Sequence, residues 1–465
     1  MDISFGTSGW RGIIAREFTW ERVERVVDAI ALHLQRQGKQ SAVVGGDCRF
    51  LSPELSESTA ERLSRYGFRV VLSGMPCPTP VLSHACRGMS LGGVVNFTAS
   101  HNPPLYNGIK FSPWHGGPAD GEMTSRIESI IRSGEVPEAG TGSVTAMDLR
   151  QDYMKDLLEY IDGDVFRNSG LKVVYDAFSG TGSGIFDRLI VDLGGAVRVM
   201  NGRRDPLFAG RQHPEPGEDG TRDLARQVVA SGATIGVATD GDADRFGMVD
   251  ETGCFVSPHD FLPLLLDYLV TVKGFRGRVV RSITTCSLLD RVADSHGLEV
   301  AVTPVGFKYL GAEMLKGDVL LAGEESGGLS IGGHVPEKDG LLACLLASEM
   351  VCRRGEGLGA QLSRLWERFG RIHVSRIDLE LNDSIRDHIR TTYFDSRPEE
   401  AAGRRVISVD RTDGVKMIFE NDDWLLLRLS GTEPLVRMYA QSDSQQRKED
   451  ILQRTRADFL RAAGT

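Results

Sequence analysis

Several features that would assign a protein to an obvious class are missing from this sequence of 465 residues. It has no excess of basic charge: 54 lysines and arginines face 64 aspartates and glutamates, a formal charge of −10. A surface of that sign has no general attraction for nucleic acid or anionic membrane, so an anionic ligand must be held by a local group of Arg and Lys. It has no long apolar run. Phe261 to Val270 is broken by Asp267 and is too short to cross a hydrocarbon core of about 30 Å. Its start, MDISFGTSGWRG, lacks a basic stretch followed by an apolar one, so no secretion signal and a cytoplasmic location are expected. It has no CxxC pair, and its cysteines number seven. An odd count fits reduced, mostly buried thiols better than a disulfide framework or a zinc site. No nucleic-acid or membrane partner is expected, and the oligomeric state is left open.

What is present is the composition of an ordinary globular protein, 41% hydrophobic and 25% charged. At about 150 residues per domain the length allows three or four domains. An internal repeat organises most of it. Ala42-Val43-Val44 reads as a buried strand, and a helix follows with Ser52 as N-cap and Pro53 at its first position. Leu55, Thr59, Leu63 and Tyr66 recur at helical spacing, Gly67 suits a left-handed C-terminal cap, and Phe68 to Leu72 reads as the next strand. The same order recurs from Lys172 to Met200 and from Arg278 to Val302. Each unit is β-helix-β, which implies parallel strands, right-handed crossovers and ligands beyond the carboxyl ends of the strands. From about Arg371 the pattern changes: Val374 to Leu381, Gly414 to Glu420 and Trp424 to Leu429 alternate like antiparallel strands, and Gln445 to Ala462 reads as a closing helix. The expected fold class is therefore α/β: three similar α/β domains, at 1–150, 151–253 and 254–369, and an α+β domain at 370–465.

Four loops carry residues suited to chemistry. Gly93 to Phe97 runs into TASHNPPLYNGIK (98–110), where two consecutive prolines stiffen the turn. Small Ala99 should leave Ser100 accessible, and Asn107-Gly108 should turn the chain so that Lys110 returns beside it. A hydroxyl held between His101 and Lys110 suits a covalent nucleophile with a nearby base, although a capping serine in a proline-rich turn would look the same. In TDGDADR (239–245), Asp240, Asp242 and Asp244 alternate with Gly and Ala. Three such carboxylates repel unless a cation joins them, and all-oxygen ligands favour Mg²⁺ or Ca²⁺. An EF-hand would use Asp240, Asp242, Asp244 and Glu251, but its sixth position needs Gly and here is Arg245. GEESGG (323–328) can exchange hydrogen bonds with sugar hydroxyls, or be an exposed turn. RLSGTEP (428–434), with Arg437 beyond it, offers an Arg, two hydroxyls and an open Gly amide to a phosphate. Together the four describe one cleft serving a phosphorylated sugar. His33, on the apolar helix 21–36, reads instead as a packed helix residue.

With TSGWRG (7–12), these motifs resemble the α-D-phosphohexomutase family, in its order and spacing over essentially the whole chain. The family includes phosphoglucomutases, phosphomannomutases and phosphoglucosamine mutases. The resemblance implies four domains around a central cleft and a phosphohexomutase interconverting hexose 1-phosphate and hexose 6-phosphate through a bisphosphorylated sugar. By that resemblance Ser100 carries the phosphoryl group, and Asp240, Asp242 and Asp244 bind Mg²⁺ with a phosphoserine oxygen. Glu324 and Ser326 hold sugar hydroxyls, and Arg428, Ser430, Gly431 and Thr432 hold the phosphate that is not being transferred. Arg11, Lys110 and Arg245 surround the transferring phosphate, His101 or Lys110 moves the proton, and Lys308 lies in a substrate-contacting segment. Glu324-Glu325-Ser326 looks like the glucose-using branch, with mannose also in view. Gly328, however, stands where many relatives carry a histidine, which leaves glucosamine and pentose phosphates open. From other classes, a sugar-phosphate phosphatase using Ser100 would release inorganic phosphate, and a structural ion-binding protein would have no activity that depends on Ser100.

Overall fold

The computed structural model describes residues 3–6, 9–430 and 434–462. The chain forms two compact units, one of residues up to 258 together with 306–361, the other of 259–305 together with 362 onward. In the first unit, β1 (Trp10–Ile13), β2 (Ser41–Gly46), β3 (Arg69–Ser73), β4 (Gly93–Phe97), β5 (Tyr106–Pro113) and β6 (Ser143–Met147) form a sheet in the order β1-β5-β4-β2-β3-β6. The β2–β3, β2–β4 and β3–β6 pairs are parallel, as β-helix-β units require, while β5 runs antiparallel to both β4 and β1. The central strands are buried along nearly their whole length, which is why they read as unbroken Val-rich runs rather than as alternation. Helices Trp20–Arg36 and Ser52–Arg65 supply Val26, Ile30, Leu34, Leu55 and Leu63 to the core around Val44, Val70, Val95 and Phe97. Full burial of each such side chain stabilises by about 1.5–3 kcal/mol.

The helix after β2 begins one residue earlier than expected. Leu51, at φ 66, is the N-cap, and Ser52 lies inside the helix with its hydroxyl donated to Asp47. Gly67 (φ 82) and Gly297 (φ 66) take the left-handed backbone that ends their helices. His33 is 4% exposed, 3.0 Å from Gln37 Nε2 and edge-on to Phe111, a packed helix residue.

Next come β7 (Lys172–Asp176), β8 (Ala196–Met200), β9 (Ile235–Thr239), β10 (Phe246–Val249) and β11 (Phe255–Val256), in the order β11-β10-β9-β7-β8. β7 is parallel to β8 and β9, whereas β10 turns back antiparallel on β9. In the third α/β segment β12 (Arg278–Ser282) is parallel to β13 (Val300–Thr303), and β14 (Val319–Glu324) is antiparallel to β15 (Gly328–Ile331). The C-terminal domain contains β16 (His373–Glu380), β17 (Glu400–Ala401), β18 (Arg404–Arg405), β19 (Ser408–Asp410), β20 (Val415–Ile418), β21 (Trp424–Leu429) and β22 (Leu435–Ser442). Five of these form an antiparallel sheet, β16-β22-β21-β20-β19, against helix Gln445–Ala462. The architecture is three α/β domains with mixed sheets followed by an α+β domain. All seven cysteines are free, and five are buried. No helix among the described residues is long and apolar enough to cross a membrane.

Candidate active site

Three of the four chemical loops meet within the first compact unit, each at the carboxyl end of a strand: Ser100 after β4, Asp240 to Arg245 after β9, and Glu324 at the end of β14. Ser100 has φ 51, a left-handed backbone that a serine adopts only when its surroundings hold it there. Its hydroxyl donates to Asp240 Oδ2 at 2.9 Å and lies 3.3 Å from His101 Nδ1. Two expectations are corrected. Ser100 is not open to solvent: it is 2% exposed, because its hydroxyl turns onto the carboxylate. Nor does Asn107-Gly108 make the turn. Tyr106 N bonds back to Pro103 O at 3.0 Å, and Asn107 and Gly108 already lie in β5.

The β4–β5 pairing sets Lys110 opposite Asn96, and its ammonium reaches the aspartates rather than the serine: 2.6 Å to Asp242 Oδ2 and 2.8 Å to Asp244 Oδ2. The loop 240–245 is the tight link between β9 and β10, and Ala243 at φ 55 helps turn three carboxylates inward. Their oxygens lie within 4.8 Å of one another, and all three residues are buried. Burial and the other two carboxylates push the Asp240 carboxyl well above its ordinary range. Burial pushes Asp244 the same way, but Lys110, Lys338 and Arg245 outweigh it and hold this carboxyl well below that range. Asp242 Oδ1 and Asp244 Oδ1 are buried and unpartnered among the described residues. Orphaned hard oxygens in a trivalent cluster suit a divalent cation such as Mg²⁺. The flanks are strands, so the EF-hand alternative has no helices to stand on.

The cations are ordered by the same contacts. Burial would lower the Lys110 ammonium, but Asp242 and Asp244 raise it, so it is a fixed positive charge and a poor proton acceptor. His101 differs: burial, then Arg245 and Arg11, lower its imidazole well below the usual value, leaving it neutral at pH 7. Arg11 hydrogen-bonds Asn102; burial and Arg245 bring its guanidinium down to about 10, still charged. Arg245 N donates to Asp240 Oδ1 at 3.1 Å, and its guanidinium pairs with Glu215 at 2.7 Å. Glu324, raised by burial, accepts from Ser326 Oγ at 2.7 Å. Lys308 lines a pocket with Lys110, Phe307, Glu337 and Lys338.

Sequence reasoning missed Lys338 and Thr79. Lys338 Nζ lies 3.1 Å from Asp244, and the stem of its side chain explains Gly328: a Cβ there would come within 2.3 Å of Lys338 Cδ. The signal was the EKDG segment (337–340), which reads as no more than a helix start because Asp339 caps the next helix. Thr79 donates to Asp242 Oδ2 at 2.5 Å. Asp339 also accepts from Tyr153 and pairs with His334, each at 2.7 Å, anchoring the loop that carries Lys338. Burial opposes protonation of His334, but Asp156 and Asp339 raise its imidazole above the ordinary 6.5. A histidine raised on folding contributes stability that is complete below pH 6.5 and fades as pH climbs through the raised value. Denaturant unfolding should therefore show His334→Asn costing more stability at pH 6 than at pH 9. A larger cost at pH 9 would contradict that charge state.

The fourth loop lies in the second unit. Arg428, one residue before the end of β21, lies directly opposite Arg437 on β22, and its Nε donates to Asp413 at 2.7 Å. Two guanidinium groups side by side repel unless anions join them. Ser430 N bonds Leu435 O at 3.0 Å. Gly431 and Thr432 lie outside the described residues, as do Thr7 and Ser8.

Comparison with known proteins defines first the class: an isomerase that transfers phosphate intramolecularly. Domains I, II and III of the alpha/beta/alpha type from phosphoglucomutase/phosphomannomutase match residues 2–138, 151–253 and 257–369, and that family's C-terminal domain matches 392–457. The chain belongs to the phosphoglucomutase/phosphomannomutase family. A phosphoglucomutase/phosphomannomutase of Thermococcus kodakarensis is 30% identical over 97% of this chain and 96% of its own. A protein of Pyrococcus horikoshii named "Probable phosphoglucosamine mutase" is 31% identical with the same coverage. The solved structure of a protein of Thermus thermophilus described as a "putative phosphomannomutase" is 35% identical, with a TM-score of 0.86 over 98% of this chain and 99% of that one.

Proposed function

We propose that this phosphomutase interconverts hexose 1-phosphate and hexose 6-phosphate, with glucose preferred and mannose as a second substrate, in the cytoplasm. The observation that carries the reading is Ser100 Oγ at 2.9 Å from Asp240, within a buried aspartate trio fringed by lysines and arginines. Ser100 is the phosphoryl carrier. A phosphoserine brings roughly −1.5 to −2 charges, and Arg11, Lys110, Arg245 and Lys338 offset them and the substrate phosphate. Asp240, Asp242 and Asp244, with a phosphoserine oxygen, would hold Mg²⁺, which when bound would neutralise charge on the transferring oxygens.

In the first half-reaction the bond from phosphorus to Ser100 Oγ breaks and one to the free sugar hydroxyl forms. That hydroxyl loses its proton and Ser100 Oγ regains one. His101, neutral and 3.3 Å from Oγ, is the group that relays it, while protonated Lys110 neutralises charge. The bisphosphorylated sugar turns round without leaving, and its other phosphoryl returns to Ser100. Glu324 and Ser326 hold sugar hydroxyls, Lys308 contacts the substrate, and Arg428, Ser430, Gly431 and Thr432 hold the resting phosphate. The domains we assign are 1–150, 151–253, 254–369 and 370–465.

A second reading, a phosphoglucosamine mutase, draws support from relatives of that name and from Gly328. Measuring kcat/KM for glucose, mannose, glucosamine and ribose 1-phosphates decides between the two. We expect glucose 1-phosphate to lead and mannose 1-phosphate to follow within about tenfold, a gap of about 1.4 kcal/mol in transition-state binding. A clear lead for glucosamine 1-phosphate would select the second reading, and stoichiometric phosphate release would replace both with a phosphatase.

A further inference from the structure

Arg49 takes no part in the chemistry above, yet it is wholly buried directly behind the serine loop. A buried guanidinium must find an acceptor for each of its five N–H groups. Nε donates to Asp47 Oδ2 at 3.2 Å. Nη1 donates to the carbonyls of Pro103 (2.8 Å) and Tyr106 (2.9 Å), and Nη2 to those of Ser100 (2.7 Å) and Asn102 (2.6 Å). Four of its five acceptors are thus backbone oxygens of the loop 100–106.

Asp47 completes the frame by accepting from Thr98 Oγ1 at 2.6 Å, and that oxygen in turn accepts from Ser100 N at 2.9 Å. The amide and the carbonyl of Ser100 are therefore both tied back to the Asp47–Arg49 pair, which accounts for a serine held at φ 51. On the other side, the ring of Phe208 lies 4.8 Å from the guanidinium carbon. The same ring reaches the aspartate loop: a Cβ on Gly241 would stand 3.1 Å from Phe208 Cε1 and 3.1 Å from Ser100 O. Arg49 and Phe208 form a joint where the serine loop and the aspartate loop press together.

We propose that Arg49 is a positioning residue for phosphoryl transfer. Clamped between Asp47 and Phe208, its planar fork fixes the loop so that Ser100 Oγ faces Asp240. All five donors are engaged by the loop and Asp47, so it acts through the backbone and not on the sugar phosphate. The inference rests on Ser100 being the phosphoryl carrier.

Arg49→Lys keeps the charge but loses the fork, and a lysine head cannot span two pairs of carbonyls. The informative readout is the single-turnover rate of transfer to glucose 1-phosphate, counted per phosphorylated enzyme molecule, because simple loss of folded protein leaves that rate unchanged. Displacement of the nucleophile should slow it about 100-fold while KM stays within about threefold of wild type. Phe208→Leu leaves every hydrogen bond and charge in place, loosens the clamp, and should slow the same rate by about tenfold; it decides the matter if Arg49→Lys does not fold. Wild-type rates per phosphorylated molecule in the folded variants, or a raised KM with an unchanged rate, overturn the proposal. Ser100→Ala in parallel separates the two readings, since turnover surviving there removes Ser100 as carrier whatever Arg49 does.

Discussion

Ser100→Ala should abolish sugar-phosphate isomerisation, lowering kcat by about 10⁴-fold or more, the scale on which removing a covalent nucleophile acts. The fold should be almost untouched. Among the described residues the hydroxyl hydrogen-bonds Asp240 and lies 3.3 Å from His101 Nδ1, and the loop is held by backbone bonds to Arg49 and Thr98 that alanine keeps. Circular dichroism and thermal unfolding within a few degrees of wild type would establish that the loss is chemical. Turnover within tenfold of wild type would mean that the phosphoryl group never rests on this residue.

Asp242→Asn is expected to produce the second large effect, a loss of about 100-fold or more in Mg²⁺-dependent turnover. Asp242 accepts from Lys110 and Thr79 through one oxygen and leaves the other unpartnered among the described residues, so an amide can keep the structural contacts while removing a charge and a metal-facing oxygen. It also relieves repulsion in a cluster where Asp240 is pushed well above its ordinary range by burial and its carboxylate neighbours. Without metal, the variant should therefore melt at or above the wild-type temperature. The readout independent of activity is linkage: Mg²⁺ should raise the melting temperature of the wild type, as any ligand of the folded state does, and should hardly move that of the variant. An equal Mg²⁺ shift in both would take the ion away from this trio.

Much of this arrangement was legible because its signals are local. Val-rich strands, Pro53 at a helix start and Gly67 at a helix end announced the β-helix-β units, and alternating aspartates announced a cluster. What was not legible depends on distant pairing. Lys110 was expected beside Ser100, but the register of β4 with β5 sends it to Asp242 and Asp244. Lys338 and Thr79 are brought to the aspartates only by tertiary folding, and the EKDG segment around Lys338 reads as no more than a helix start. The choice between His101 and Lys110 as proton carrier could not be made from side-chain type alone. Our proposal of His101 rests on environment, since flanking carboxylates keep the lysine charged whereas burial and arginines keep the histidine neutral.

The central claim is that position 100 carries and returns a phosphoryl group. Intact-mass analysis of the protein after exposure to glucose 1,6-bisphosphate, followed by peptide mapping, tests it most directly. The account predicts a population heavier by one phosphoryl group, with the added mass on the peptide containing Ser100, discharged by glucose 1-phosphate and absent from Ser100→Ala. A protein that isomerises sugar phosphates while its mass never changes, or one whose label sits on another residue, would contradict it.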